Sequence, residues 1–550
     1  MPGLANVAQR LRTNASATPG KPAVVICRGP GEKGGKFRRE QITFAELERD
    51  SDAAARGFEK IGIHRGLKTL VMLRPSFPFF SCFYALFKIG AVPVLIDPGM
   101  GGKRLLECLK DVQPEAMVGI PLAHAARVIL PGYFPKLKIS VTLGKRWFWR
   151  GHLWEKFRIF DDQPFPMAET RADDLAAILF TTGSTGPAKG VEYNHGALNA
   201  QVGLIADALG INQDDRDAAT FPGFSLFSIA LGMTAAVPDM NPTKPGSAFP
   251  PNIETVVNEN KCTFSFGSPA LWNRVSAHAH EHSIKLPTLK KVIMAGAPVP
   301  NIVHERLLGG ILPEGAETYT PYGATECMPV SNMRGSEVLR ETASLTKDGK
   351  GVCVGLPVPG LRAEIITITD TPIEKWNDGL LADPAEIGEI AIKADHASRH
   401  YHGKPEADRL AKISDGDKFW HRMGDVGYKD DKGRLWFCGR KSDRVVATDR
   451  TYFTIPAEAI VNQHPAVFRS ALVGVGARGR ERPVFIIELK KDATPTDEET
   501  LRKELLQLAA ANPASSGITD ILFHPAFPVD IRHNAKIGRE ALAKWAAEKF

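Results

Sequence analysis

The chain offers little sulfur chemistry. Its seven cysteines (Cys27, Cys82, Cys108, Cys262, Cys327, Cys353, Cys438) are odd in number and far apart, with no CxxC pair. That excludes a disulfide framework and a zinc knuckle and fits a reducing cytoplasm. Long apolar runs are missing too. The most apolar window, "SFPFFSCFYALFKIGAVPVLIDP", contains Lys88 and three prolines, so it is too interrupted to span a bilayer and reads as a buried helix followed by a buried strand. The first residues, "MPGLANVAQRLRTNASATPGKPA", carry arginines within their periodic part and read as an amphipathic helix of the fold, not a secretory signal. Charge of one sign is scarce as well. Lys plus Arg (69) against Asp plus Glu (62) leaves +7 over 550 residues, too dilute to imply nucleic acid, though it favours anionic substrates or membrane surfaces. No internal repeat or low-complexity tract interrupts the chain.

What is present is enough apolar side chain, 43%, to bury more than one large core, and a length that predicts two or more domains. From Val24 to about Thr320, short β-branched or aliphatic runs alternate with helical patterns, the signature of parallel sheets covered by helices. "VVIC" begins the series, and "TFAE" (Thr43 to Glu46) is a capping box ahead of a helix whose face is Leu47, Ala54, Phe58 and Ile61. "KTLVML", "PVLID", "EAMVGI", "LAAILF", "CTFSFG", "KVIMAG" and "ETYT" continue it. From about Gly351 the texture turns to period-two segments of an antiparallel sheet or barrel. After Arg440 a third texture predicts a small α+β unit, with a helix near Pro456 to His464, strands "SALVGVG" and "PVFIIEL", a helix from Asp497 to about Ala511, and a last strand near "DILFHP". The fold class expected is α/β and α+β. Residues 1–440 form a large domain of βα layers with a small barrel-like part, and residues 441–550 form a small C-terminal domain.

Two strands end in loops that look chemical, as expected for ligands bound beyond the carboxyl ends of strands in an open α/β sheet. In "TTGSTGPAKG", glycines 183, 186 and 190 let backbone amides turn inward around an anion. Thr181, Thr182, Ser184 and Thr185 add hydroxyl donors, and Lys189 adds charge. Its lysine lacks the flanking Gly and Ser/Thr of a Walker loop, so this is a polyphosphate loop of another kind. "PYGATE" sets Tyr322, Gly323, Thr325 and Glu326 at a second strand end: Tyr322 can stack on a base, and Glu326 can hold Mg²⁺ against phosphates. "HRMGDVG" offers Asp425 as an acceptor for ribose hydroxyls.

Together with "MAGAPVP", "GRKSDRV" and "RHNAKIGR", these motifs, in this order and covering nearly the whole chain, resemble the adenylate-forming superfamily of acyl-CoA synthetases, firefly luciferase and adenylation domains. The resemblance implies that a carboxylate attacks the α-phosphorus of ATP, giving an acyl adenylate and pyrophosphate, and that a second half-reaction follows rotation of the small domain. It assigns Thr181, Thr182, Gly183, Ser184, Thr185, Gly186 and Lys189 to the phosphates, and Gly296, Ala297, Pro298, Thr320, Tyr322 and Gly323 to the adenine side. Thr325 falls to the α-phosphate, Glu326 to Mg²⁺, and Asp425 and Arg440 to the ribose. Lys536 would bridge carboxylate and α-phosphate oxygens, where charge builds as two anions meet. Ser442 occupies the hinge position.

Departures narrow the resemblance. Acyl-CoA synthetases generally carry a glycine pair where this chain has Thr448 and Asp449, and a β-branched residue and a carboxylate crowd a passage for pantetheine that needs bare backbone. Ala295 replaces a usual glycine, and Ser225 a histidine frequent in the acyl-pocket motif. With Phe224 and Phe227 suggesting an apolar acyl pocket, to which His195 is also assigned, the chain looks most like the olefin β-lactone synthetases. There the adenylate of a long-chain 2-alkyl-3-hydroxy acid is attacked by its own hydroxyl and AMP leaves. The cofactors implied are ATP and Mg²⁺, and the partners implied are the long-chain β-hydroxy acid and other enzymes of the olefin pathway. The alternatives are a long-chain fatty acyl-CoA synthetase and a catalytically inactive nucleotide- or acyl-binding protein. "HAHEH" (His278, His280, His282) lacks a third ligand and reads as a solvated helix face. "KRWFWRGHLW" (Lys145 to Trp154) mixes cations with aromatics as a membrane-surface segment does, and equally as a segment packing over an acyl channel or a core edge.

Overall fold

The helix Phe44–Lys60 starts where its cap is written. Thr43 Oγ1 accepts the Glu46 N–H and the Glu46 carboxylate accepts the Thr43 N–H, satisfying two amides that would otherwise lack intrahelical partners. Leu47, Ala54 and Phe58 are buried on its inner face, and Ile61 packs against the same cluster. That cluster also takes the apolar residues of the aromatic helix Phe77–Lys88, whose last residue, Lys88, is buried too. The Lys88 ammonium lies 2.6 Å from Asp52 and 2.8 Å from Glu48. A buried cation is tolerable only with such partners.

The computed structural model describes residues 5–29, 37–181, 188–491, 497–529 and 537–550. Among these, one seven-stranded sheet runs His152–Leu153, Ile139–Thr142, Ala116–Gly119, Lys68–Met72, Val92–Ile96, Leu175–Thr181, Lys189–Asn194. Its neighbours are parallel except the last pair. The exception is informative: the strand after the glycine-rich loop returns antiparallel to the strand before it, pairing Thr181 with Lys189. The expectation of an α/β layer holds, and the strands on either side of the loop are neighbours in this sheet.

The second sheet is longer. Parallel strands Thr234–Val237, Arg216–Ala218, Phe264–Gly267, Lys291–Met294 and Glu317–Ala324 carry the βα part. Antiparallel pairing of Glu317–Ala324 with Cys327–Arg334, and of that strand with Val352–Pro357, then extends the sheet into the strands expected as barrel-like. Among the described residues the path is open at both ends, from Arg362–Ile366 to Arg38–Thr43. The barrel-like expectation is therefore corrected. Pairing through Ser331 and Asn332 offers these strands a neighbouring sheet edge, so they need not close on themselves.

Residues beyond Ser442 build their own three-stranded sheet, Val467–Val475, Arg482–Leu489 and Asp520–Phe523, with cores on both faces. Helices Thr454–Val461 and Glu498–Ala510 cover one and Arg539–Ala547 the other. This is the α+β unit expected after Arg440, with one helix more. No described helix is long and apolar enough to cross a membrane.

Candidate active site

Strand register assembles the first part of the site. Asp425 and Arg440 face each other across the antiparallel pair Lys418–Lys429 and Leu435–Arg440, and Arg440 Nη1 reaches Asp425 Oδ1 at 2.8 Å. The Tyr322 hydroxyl, from the end of Glu317–Ala324, donates to Asp425 Oδ2 at 2.6 Å. Burial raises the Asp425 pKa, which Arg440 and Tyr322 only partly offset. Asp425 in turn holds Arg440 above its ordinary value. The result is a buried carboxylate in a fixed orientation, each oxygen keeping acceptor capacity for a further hydroxyl.

The second part lies where "PYGATE" turns back into Cys327–Arg334. Tyr193, on the strand after the glycine-rich loop, donates to the Thr325 carbonyl, and Ser398 N–H donates to the Glu326 carbonyl at 2.7 Å. The Glu326 Oε1 accepts the Tyr401 hydroxyl at 2.7 Å. The Lys189 ammonium sits 4.7 Å from the centre of that same tyrosine ring. Tyr401 is anchored by backbone pairing with Val191 and by its N–H to Asp408 Oδ1. One ring thus brings together a carboxylate and a cation that are far apart in the chain. At Gly323 a Cβ would meet the Cys327 carbonyl at 2.8 Å, so only glycine lets this turn close so tightly. Gly296, with φ +94°, needs glycine for its backbone conformation, and Ala297 and Pro298 follow it after the strand Lys291–Met294. Thr320 donates to the Met333 carbonyl at 3.4 Å.

The third part is apolar. Phe224 stacks on Phe266 with centroids 4.3 Å apart and planes at 3°, and Phe227 lies 5.9 Å from Phe224. Phe227 and Ala295 are half-buried against the same cluster. Ser225 is buried, its hydroxyl bonded to the Phe221 carbonyl. His195 is elsewhere: it opens the helix His195–Leu209, is fully buried, and accepts the Val7 N–H on Nδ1 at 3.2 Å. Burial pushes its pKa down to about 4, so the ring is a neutral core group.

Residues 11–402 match the model for AMP-binding enzymes. The chain is an AMP-binding enzyme. It is 43% identical, over 99% of its length and 98% of the relative's, to the olefin β-lactone synthetase of Stenotrophomonas maltophilia. It is 24% identical, over 86% of its length and 84% of the relative's, to the long-chain-fatty-acid–CoA ligase of Thermus thermophilus. In fold it is similar to the ATP-bound MatB of Rhodopseudomonas palustris, with a TM-score of 0.78 at 19% identity and all of both chains covered.

In this AMP-binding enzyme Thr182, Gly183, Ser184, Thr185, Gly186 and Lys536 lie outside the described residues, as does the Thr181 side chain. Ser442 is exposed and bonds Asp443 at 3.1 Å. Thr448 and Asp449 are exposed at the turn of the hairpin Val445–Val446 and Thr451–Tyr452. His278 and His282 stack at 4.1 Å, with His278 bonded to Glu254 at 2.9 Å. No group of three metal-ligating side chains occurs among the described residues.

Sequence reasoning missed Tyr401 and the half-buried Lys412. The latter lies 5.5 Å from the Tyr401 ring centre, donates to the Ser398 carbonyl and reaches His421 Nδ1 at 3.1 Å. Burial lowers the Lys412 pKa to about 8, against the pull of Glu326 and Asp408. Neither residue lies in a glycine-rich or acidic motif, so only the pairing of distant strands exposes them.

Proposed function

We propose that this enzyme is an ATP-dependent β-lactone synthetase acting on long-chain 2-alkyl-3-hydroxy acids. What carries the reading is the full-length similarity to an olefin β-lactone synthetase, much greater than that to a CoA ligase. In the first step a carboxylate oxygen attacks the α-phosphorus and the bond to pyrophosphate breaks. In the second the substrate's 3-hydroxyl attacks the activated carbonyl, loses its proton, and the bond to AMP breaks. Four-membered closure is strained, but it is intramolecular, an advantage that reaches roughly 7–11 kcal/mol in well-oriented systems.

In this reading Asp425 accepts ribose hydroxyls, with Arg440 and Tyr322 fixing its orientation. Gly296, Ala297, Pro298, Thr320 and Gly323 flank adenine. The loop Thr181 to Gly186 and Lys189 hold the phosphates, and Thr325 meets the α-phosphate. Glu326 suits Mg²⁺: it is a hard oxygen donor, and a lone carboxylate suffices for an ion that takes most of its ligands from phosphates and water. Bound there, the ion would neutralise charge on the triphosphate. Phe224, Phe227 and Ala295 line the acyl side; His195, packed against Phe87 elsewhere in the core, is not assigned to it. Residues 441–550 turn about Ser442 to deliver Lys536. With the seven cysteines free and buried, a cytoplasmic location fits, and enzymes that make or consume the acid and lactone are the natural partners.

The deciding experiment is product analysis with ATP, Mg²⁺ and a 3-hydroxy acid, with and without CoA. A β-lactone, AMP and pyrophosphate are expected without CoA, and a matched acid lacking the hydroxyl should stall as bound adenylate. A CoA-dependent thioester would replace this reading with that of an acyl-CoA synthetase.

A further inference from the structure

Between Ala116 and Trp154 the chain has six lysines and arginines (Arg127, Lys136, Lys138, Lys145, Arg146, Arg150) and no aspartate or glutamate, in a protein whose whole excess is +7. The same segment holds six of the fourteen exposed large apolar side chains among the described residues: Leu122, Val128, Ile129, Leu130, Trp147 and Phe148. The other eight are dispersed along the chain. Dispersed apolar side chains need no explanation, but a concentration of them does.

The structure joins these residues into one surface. The helix Pro121–Ile129 sends His124 and Ala125 inward, while Leu122 and Ile129, two turns apart, face solvent at 67% and 72% exposure. The loop 144–151 lies against it. Buried Trp149 stacks on His124 with ring centres 5.7 Å apart and is fixed by its indole N–H to Thr142 Oγ1 at 3.0 Å. Trp147 and Phe148 pack on Trp149 at 5.4 and 5.3 Å and remain 56% and 69% exposed. The loop's rings are therefore held out on a packed base. All the cations but the half-buried Arg127 are exposed. This lies at the edge of the seven-stranded sheet formed by Ile139–Thr142 and His152–Leu153, on different strands from Asp425, Glu326 and Tyr401.

We propose that this face, centred on Trp147, Phe148, Leu122 and Ile129 and rimmed by Lys136, Lys138, Lys145, Arg146 and Arg150, docks the enzyme on the surface of an anionic phospholipid bilayer. Aromatic rings suit the boundary between headgroups and acyl chains, and the cations suit anionic headgroups. A carboxylate-free segment of this length gives an anionic surface nothing to repel. The inference stands on the surface alone and does not depend on which acid the enzyme activates.

Co-sedimentation of the full chain with vesicles tests it. Vesicles of about one third phosphatidylglycerol in phosphatidylcholine should bind the protein at least ~10-fold more strongly than phosphatidylcholine alone, and added salt should weaken the binding. Trp147→Ser with Phe148→Ser should lower binding by roughly 10-fold or more. Lys145→Glu with Arg146→Glu should abolish the preference for phosphatidylglycerol. Melting temperature and pyrophosphate release with a short soluble acid should be unchanged in both variants. Failure of the unaltered protein to bind phosphatidylglycerol vesicles, or undiminished binding by the serine double variant, would overturn the proposal. So would a serine variant that changes only the oligomeric mass in light scattering, since the face would then be a protein contact.

Discussion

The proposed nucleotide site and the C-terminal unit hold their working residues by different means. In the site, Asp425 and Arg440 are opposed by strand register and Tyr322 reaches them from a strand of the same sheet, so the geometry is set by backbone hydrogen bonds. The C-terminal unit meets the rest of the chain through side chains. Arg444 pairs with Asp370 at 2.7 Å, and Gln463 and Asn512 donate to the carbonyls of Lys347 and Asp348. Arg444 is itself buried, but its partner Asp370 is exposed, as is Gln463, and contacts open to solvent contribute up to about 1 kcal/mol each. A sheet fixes; a set of such contacts permits rearrangement, as delivery of Lys536 would require.

The strongest test of the contrast is on the small unit. Lys536→Ala should lower the adenylation rate by about two to three orders of magnitude, the scale of losing one preorganised donor, with ATP affinity by calorimetry little changed. On the sheet side the pattern should invert. Asp425→Ala should raise the ATP KM by roughly 10-fold or more, because a buried charged hydrogen-bond partner is lost and Arg440 is left unpaired. Near-normal ATP affinity in that variant would break the comparison.

Burial on the sheet has a measurable cost at Asp217. This carboxyl is 1% exposed and bonded to Ser228 at 2.7 Å, and burial pushes it up to about 7 from 3.8. The unfolded chain loses this proton first as pH rises, so the folded state binds more protons between about pH 4 and 7 and stability falls across that window. Asp217→Asn should remove that fall. The stability difference between variant and parent, from urea melts, should shift in the variant's favour by roughly 1–4 kcal/mol from pH 4 to pH 7, and a flat difference would refute the assignment.

Tyr401→Phe should have a smaller effect. It keeps the ring under Lys189 and removes the bond to Glu326, costing about 0.5–1.5 kcal/mol. Glu326→Gln should raise the Mg²⁺ concentration needed for pyrophosphate release. If Tyr401 positions that carboxylate, the two changes should combine less than additively in Mg²⁺ titrations, whereas strict additivity would make Tyr401 merely structural. The smallest effect belongs to the proposed hinge: Asp443→Ala frees Arg539 from one partner while Glu458 still holds it. It should change the balance of the two half-reactions by no more than a few-fold, read as adenylate accumulation in single turnover, with melting temperature nearly unchanged.

The sequence by itself determined the alternation of strands and helices, the capped helix at Thr43, the extra α+β unit, and the motif-borne residues Tyr322, Glu326, Asp425 and Arg440. These are local facts: periodicity, caps and short motifs are written within a few consecutive residues. Only the tertiary structure decided that the barrel-like strands continue the long sheet, that His195 is a core group, and that Tyr401 joins Lys189 to Glu326. It also decided that Trp149 turns inward while Trp147 and Phe148 stay in solvent. Each of these depends on which distant strands pair and in what register, a choice made by the packing of whole layers and not recorded at any single position.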